Sequence, residues 1–519
     1  MANHYDVIII GTGAGGGTLA HQLAPSGKKI LLLERGGFLP KERENWDTQA
    51  VYLDKRYQAH DTWYHNGEPF RPAIHYWVGG NTKMFGAALF RLREADFKEI
   101  RHSGGISPAW PLSYQDFAPY YTRAERLYHV HGKRGVDPTE PPSKDPYPFP
   151  PLEHEPRVAQ LKGDLEKLGY HPFPLPLGVR LGDDKPYPQA PTQLSAFDGY
   201  PDPSESKADA HVIGVKPALE YPNVTLLTGR LVERLETDAK GRKVSKVIVR
   251  HEGKTETYSA DVVVVSAGAA NSAALMLRSA SDQHPQGLAN RSGLVGRNYM
   301  CHQNSTFLAI SKEPNDSIFQ KTLVVSDFYG PSAEWEYPMG LIQMLGKVDE
   351  VLMRFETPEP LGNMTYAEMA RHSLDFWLQS EDLPDPSNRV TVNAQGEIEL
   401  AYTKNNLEAH ERLIAKLKSL LTHIGCHEHM IPIDYYLGTK FPFNLSHQAG
   451  TLKFGTDPET SVLDLNCKTH DLDNLYVVDA SFFPSVGAVN PSLTIIANAI
   501  RVGDHLLERL GAKQAATTV

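Results

Sequence analysis

Apolar and polar positions along the chain fall into three textures. Near the N-terminus, Tyr5–Ile10 and Lys29–Leu33 are largely apolar runs, the first rich in β-branched residues, separated by glycine-rich sequence and a helix-compatible stretch, Thr18–Leu23. Strand, turn, helix and strand within about 30 residues predict a βαβ unit with parallel strands. From Leu39 to Arg93, aromatics, prolines and glycines obscure any period. Residues 133–210 form a second texture, dense in Pro, Asp and Lys, as in Pro138–Pro142, Pro146–Pro151 and Pro201–Pro203. So long an irregular segment suits a wrap or lid on a larger body. Strands resume at Val224–Leu227, Val244–Val249 and Asp261–Ser266. Residues 300–470 form the third texture. Alternation in Thr322–Ser326 and Arg389–Val392 predicts a half-exposed sheet. Leu407, Ile414, Leu417, Leu421 and Ile424 recur at helical spacing after Asn406 and predict an amphipathic helix. A short strand, Leu475–Val478, and an apolar helix, Ser492–Leu510, follow.

Composition narrows the class. The chain has 519 residues, 41% hydrophobic and 22% charged, as in an ordinary globular enzyme rather than a disordered or membrane chain. A formal net charge of −10 repels phosphate backbones and anionic lipid, so neither nucleic acid nor a membrane surface is an expected partner. No stretch nears the ~18 apolar residues of a membrane span. The three cysteines, Cys301, Cys426 and Cys467, form no CxxC pair and no disulfide framework. They suit a reducing interior, and without a basic, apolar leader the expected location is cytoplasmic. The 41 glycines and 38 prolines imply many turns and places where backbone comes close to something.

Gly11-Thr12-Gly13-Ala14-Gly15-Gly16 contains the G-x-G-x-x-G pattern, directly after a predicted strand and opening a helix. Gly11 permits the tight turn, Gly13 lets backbone approach a pyrophosphate, and Gly16 lets helix pack on strand. The helix N-terminus offers free N–H groups to phosphate. Glu34, 23 residues after Gly11, ends the next strand, where a carboxylate accepts from ribose hydroxyls; Arg35 stands beside it. The dinucleotide could be NAD or FAD.

Three further segments bear on that choice: Val78–Gly86, Val263–Ser272, and a C-terminal block from His447–Thr451 through Val477–Asp479 to Gly487–Pro491. With the N-terminal loop they resemble the glucose–methanol–choline (GMC) family of flavin oxidoreductases, in order and spacing from about residue 5 to residue 510. The resemblance implies FAD and an α/β fold of two domains. A Rossmann-like FAD-binding domain, split in sequence, takes residues 1–100, 205–300 and 471–519. A substrate-binding domain, with an antiparallel sheet packed by helices, takes 101–204 and 301–470. By the same resemblance Gly79, Gly80, Asn81 and Thr82 line pyrophosphate and isoalloxazine, and Ala267 and Gly268 let backbone cross near the cofactor. Val232 holds adenine through its main chain. Asp479 and Ala480 lie near the ribityl–pyrophosphate region. Asn490, Pro491 and Thr494 belong to the start of the last helix, whose N-terminus faces the flavin. Covalently flavinylated members carry a His near the position of Met84, so Met84 implies noncovalent FAD.

The resemblance also implies a catalytic pair, His447 and Asn490. Imidazole is suited to taking a hydroxyl proton near neutral pH, and a carboxamide can orient the substrate oxygen without acting as a base. The implied reaction is oxidation of an alcohol, a sugar, glycoside or polyol, to a carbonyl by hydride transfer to flavin. The acceptor of the electrons is oxygen, a quinone or a protein carrier. A lyase of the same family without net redox chemistry, a flavoprotein subunit acting with a partner, and a nicotinamide dehydrogenase are the rival readings. Trp63, Tyr64, Tyr76 and Trp77 either border a sugar site or lie in the core. Lys83 and Arg91 either contact phosphate or are solvated. Cys301-His302 reads as packing. His423, Cys426, His427 and His429 match no zinc spacing and read as a surface turn, so no metal is expected.

Overall fold

The computed structural model describes residues 4–180, 197–356, 359–424, 430–433 and 446–512. Its first sheet contains the βαβ unit. Strand β1 (His4–Ile10) leads through the glycine turn into helix α1 (Ala14–Leu23) and returns as β2 (Ile30–Leu33). β3 (Val224–Leu227) extends the sheet on the β2 side. β4 (Leu231–Thr237) and β5 (Val244–His251) are an antiparallel pair leading into β6 (Lys254–Val265). β6 serves two neighbours. Its polar first half pairs with β5, and its valine-rich second half lies parallel to β1, with Val7 opposite Val262 and Ile10 opposite Val265. The C-terminal strand Leu475–Val477 adds to the other side of that half. The sequence predicts only Asp261–Ser266 as strand here, because the first half lacks an apolar run.

β6 runs into helix α2 (Ala269–Arg278). Helix α1 packs on the C-terminal helix Ser492–Arg509. The helix Tyr114–Leu127, which the sequence boundaries group with the substrate-binding domain, packs on that same C-terminal helix. Tyr121 hydroxyl meets Thr494 hydroxyl at 2.8 Å, and Arg123 pairs with Asp504 at 2.5 Å.

The second sheet is antiparallel. β7 (Gln303–Ile310) lies beside β10 (Ser373–Ser380), followed outward by β9 (Leu341–Met344) and β8 (Leu323–Val325); the strand Met430–Ile433 flanks β7 on the other side. Alternation predicts half exposure, yet β8, β9 and β10 are buried throughout. One face, with Phe307, Ile342, Phe376 and Leu378, packs under Leu413, Leu417 and Leu421 of helix α3 (Leu407–His423) and under the helix Pro156–Lys167. The opposite face carries Asn304, Thr306, Gln343, Trp377 and Gln379 in register. Its polarity marks a surface covered by protein rather than by solvent. Leu407, the first residue of the apolar stripe, is exposed. Arg389–Val392 joins neither large sheet; it pairs with Ile398–Ala401 in a small sheet that includes Trp63–His65. Among the described residues no helix is long and apolar enough to cross a membrane.

Candidate active site

A single cavity runs from Glu34, Arg35 and Val232 past the glycine turn to His447 and Asn490. Gly11, Thr12, Gly13, Ala14, Gly15, Gly80, Asn81, Thr82, Ala267, Gly268, Asp479, Ala480 and Pro491 line it between those ends. Gly16, Gly79 and Thr494 stand behind this lining: Gly16 packs on the Gly11 carbonyl, Gly79 N–H donates to Thr12 Oγ1, and Thr494 bonds Tyr121.

The residues fit a dinucleotide such as FAD. A Cβ added at Gly13 would meet nothing within 4 Å, so backbone there opens directly onto the cavity. Gly13 gives α1 no side-chain cap, leaving first-turn N–H groups for a pyrophosphate. Gly15 is required for a different reason: a Cβ there would lie 1.9 Å from the Val478 carbonyl oxygen. Glu34 already accepts from Thr12 Oγ1 at 2.6 Å, Thr12 N–H and Gly36 N–H, and burial pushes its carboxyl upward. Asp479 is similarly engaged. It accepts from Gly268 N–H, Ser272 Oγ, Ser481 N–H and Ser481 Oγ, tying the turn before α2 to the segment after the last strand. Its fixed contacts are thus with protein, and it lines the cavity as part of that tie. Pro491 and Ser492 put the N-terminus of the C-terminal helix at the cavity wall.

At the reactive end, His447 lies in the left-handed region, φ +60°. Burial, His302 and Lys321 hold its imidazole well below the ordinary histidine range, which favours the neutral ring. Its Nδ1 lies 3.0 Å from Nδ1 of His302, a residue that reads as packing in the sequence. Asn490 Oδ1 accepts from Gln343 Nε2 at 2.9 Å, leaving the Asn490 amide N–H groups free to donate among the described residues. Gly487, φ +59°, is wedged against Leu92, Asp96 and Tyr329 behind the wall; its N–H donates to Glu381.

Gln343, Lys321 and Trp377 escape the sequence reading, and His302 enters it only as packing. Each stands in the 300–380 region, and the only local signal is a polar or aromatic residue on an otherwise apolar strand or strand end. Of the four aromatics weighed from sequence, Trp63 is core and Trp77 packs on Tyr57. Tyr64 stands in the small sheet, and Tyr76 lines the Arg35 end of the cavity under the guanidinium, 3.6 Å away. Trp377 and Leu345 line the cavity from the second sheet instead. Lys83 and Arg91 are neither solvated nor at the cavity: they are buried in ion pairs with Asp209 at 2.7 Å and Glu125 at 2.6 Å. Cys426, His427 and His429 lie outside the described residues.

Comparison with known proteins agrees with this geometry. Family models described as GMC oxidoreductase match residues 177–304 and 384–499. The chain is 29% identical to 6'''-hydroxyparomomycin C oxidase of Streptomyces lividus, across 99% of this chain and 93% of that protein. It is 28% identical to paromamine 6'-oxidase of Streptomyces fradiae, across 96% and 90%. A solved structure of Aspergillus oryzae RIB40 formate oxidase that addresses modification of its FAD superposes with a TM-score of 0.68 over 98% of both chains at 16% identity. Two matched family models, relatives aligned end to end and a cavity shaped for a dinucleotide together establish that the chain belongs to the GMC oxidoreductases and uses FAD.

Proposed function

We propose that this protein oxidises a hydroxyl-rich alcohol, a sugar, glycoside or polyol, to a carbonyl. The observation that carries the reading is that half-buried His447 shares one end of the cavity with Asn490, its imidazole held well below the ordinary histidine range. Bound FAD supplies the acceptor for the hydride. His447 takes the hydroxyl proton, and its neutrality matters because only an unprotonated imidazole can accept. Asn490 donates to the substrate oxygen and holds the carbinol C–H in line. Gln343 holds Asn490 in that orientation. Met84 lines the cavity and has no nucleophilic nitrogen, which supports noncovalent FAD.

The cavity lining supports the substrate class. Ser446, Gln448 and Asn490 line the cavity beside His447. Amides and hydroxyls match the hydroxyls of a polar ligand better than an aliphatic chain. The names of the two Streptomyces relatives point to the same class. Few cysteines, with Cys301 and Cys467 buried as free thiols, support a cytoplasmic setting.

The test is anaerobic mixing with a panel of polyols, sugars and glycosides. Bleaching of the flavin band with carbonyl formation is the expected result. Substrate consumed with the band intact would establish the lyase reading. Admitting oxygen and, separately, a quinone to the reduced protein then identifies the acceptor; peroxide release marks an oxidase.

A further inference from the structure

We propose that His302 is a positioning residue that sets the tautomer of His447, leaving Nε2 of His447 as the atom that takes the substrate proton. The inference rests on reading His447 as the base, and it names the atom and the residue that make it one. His302 sits at the entry to β7 with 2% of its surface exposed. Its Nε2 lies 3.0 Å from the carbonyl oxygen of Gly487. A carbonyl oxygen carries no hydrogen, so the ring proton of His302 is on Nε2. Burial holds His302 neutral, with its pKa down to about 4, so no second proton is available and Nδ1 is a bare acceptor. The atom facing that acceptor at 3.0 Å is Nδ1 of His447, which must therefore donate. The rings meet at 89°, edge to face, so the contact runs through the nitrogens and not through stacking. A neutral imidazole that donates from Nδ1 has its lone pair on Nε2.

The same carbonyl ties the base to its partner. Gly487 opens the loop that carries Asn490. Gly487 N–H donates to Glu381 at 3.1 Å and Ala488 N–H donates to the Tyr329 hydroxyl at 3.0 Å. His302 thus links the orientation of His447 to the position of the Asn490 loop. The charged groups that bear on the pair are Lys321, on the cavity side, and Glu381, behind the loop.

Three substitutions and two measurements test this. His302→Gln preserves one acceptor and one donor; His302→Leu preserves bulk and removes both; His447→Asn removes the base. The first measurement is the long-range ¹H–¹⁵N spectrum of the FAD-loaded protein with ¹⁵N-labelled histidine, His447 being identified by the signals absent in His447→Asn. The wild type should show His447 protonated at Nδ1, and His302→Leu should shift it toward the Nε2-protonated form. The second is the limiting rate of flavin reduction. His302→Leu should lower it by about 100-fold with FAD still bound, and His302→Gln should restore most of it. An Nε2-protonated His447 in the wild type overturns the proposal, as does a wild-type rate in His302→Leu. A Gln variant no faster than the Leu variant, with FAD still bound, also overturns it. A wild-type rate in His447→Asn removes the base reading itself, whatever the tautomer.

Discussion

A non-glycine residue at φ +60°, as His447 is, costs about 1–3 kcal/mol and persists only where neighbours over-determine it. Here the neighbours are identifiable: Met300 and Ala449 pair through both backbone bonds, and Gly450 N–H donates to the Ala480 carbonyl. Asparagine tolerates this conformation, so His447→Asn should keep the fold and bind FAD while flavin reduction falls by about 10²–10⁴-fold. Stopped-flow absorbance on FAD-loaded protein measures both. At Asn490 the corresponding support is Gln343. Gln343→Leu should weaken substrate binding and slow reduction together, by about tenfold, because a lost hydrogen bond of about 1 kcal/mol leaves the amide free to turn away. His447 and Asn490 are legible in the chain through the resemblance of their flanking segments. His302 and Gln343 are not, since they stand 145 and 147 residues from the groups they hold and their local surroundings say only that they are buried.

Among elements, the βαβ unit is the most legible because two local signals coincide there: apolar strands buried on both faces and glycines at fixed offsets. Its tolerance is small. Gly15→Ala would drive a methyl group into the Val478 carbonyl, separating α1 from the segment after the last strand. The expected outcome is protein purified with little or no bound FAD, read from its visible spectrum, and a lowered melting temperature. Gly163→Ala, on the helix Pro156–Lys167 with nothing within 4 Å of the new Cβ, should leave FAD content unchanged. The second sheet is less legible for a definite reason. Alternation records that one face is polar, and water is the usual cause; here the polar face closes over the reactive end, which alternation cannot distinguish from solvent. In the small sheet Arg389–Val392 is legible as a strand, but the addition of Trp63–His65 is not, because it joins Ile398–Ala401 from more than 300 residues away.

The whole molecule should respond to pH through buried carboxyls beneath the Asn490 loop. Burial, with the Glu381 charge nearby, pushes Asp96 up to about 7. A carboxyl in the unfolded chain titrates near 3.9, so between that value and about 7 the folded state holds a proton the unfolded state has lost. The stability from Asp96 is therefore complete below about pH 4 and is lost as pH rises through about 7. Thermal unfolding of the FAD-loaded protein should show a melting temperature that falls from pH 5 to about pH 7 and then levels, and Asp96→Asn should flatten that fall. The parallel sheet draws its strands from His4–Ile10, Ile30–Leu33, Val224–Leu227, Lys254–Val265 and Leu475–Val477. A ribosome makes these far apart in time. The nascent chain holds a glycine turn and no finished cradle until Val478 and Asp479 are made, because these residues complete the turn from the far end. The expectation is that FAD capture waits until Val478 and Asp479 have been made. A chain stalled before residue 470 should emerge colourless and dependent on chaperones, however much of its fold has already formed.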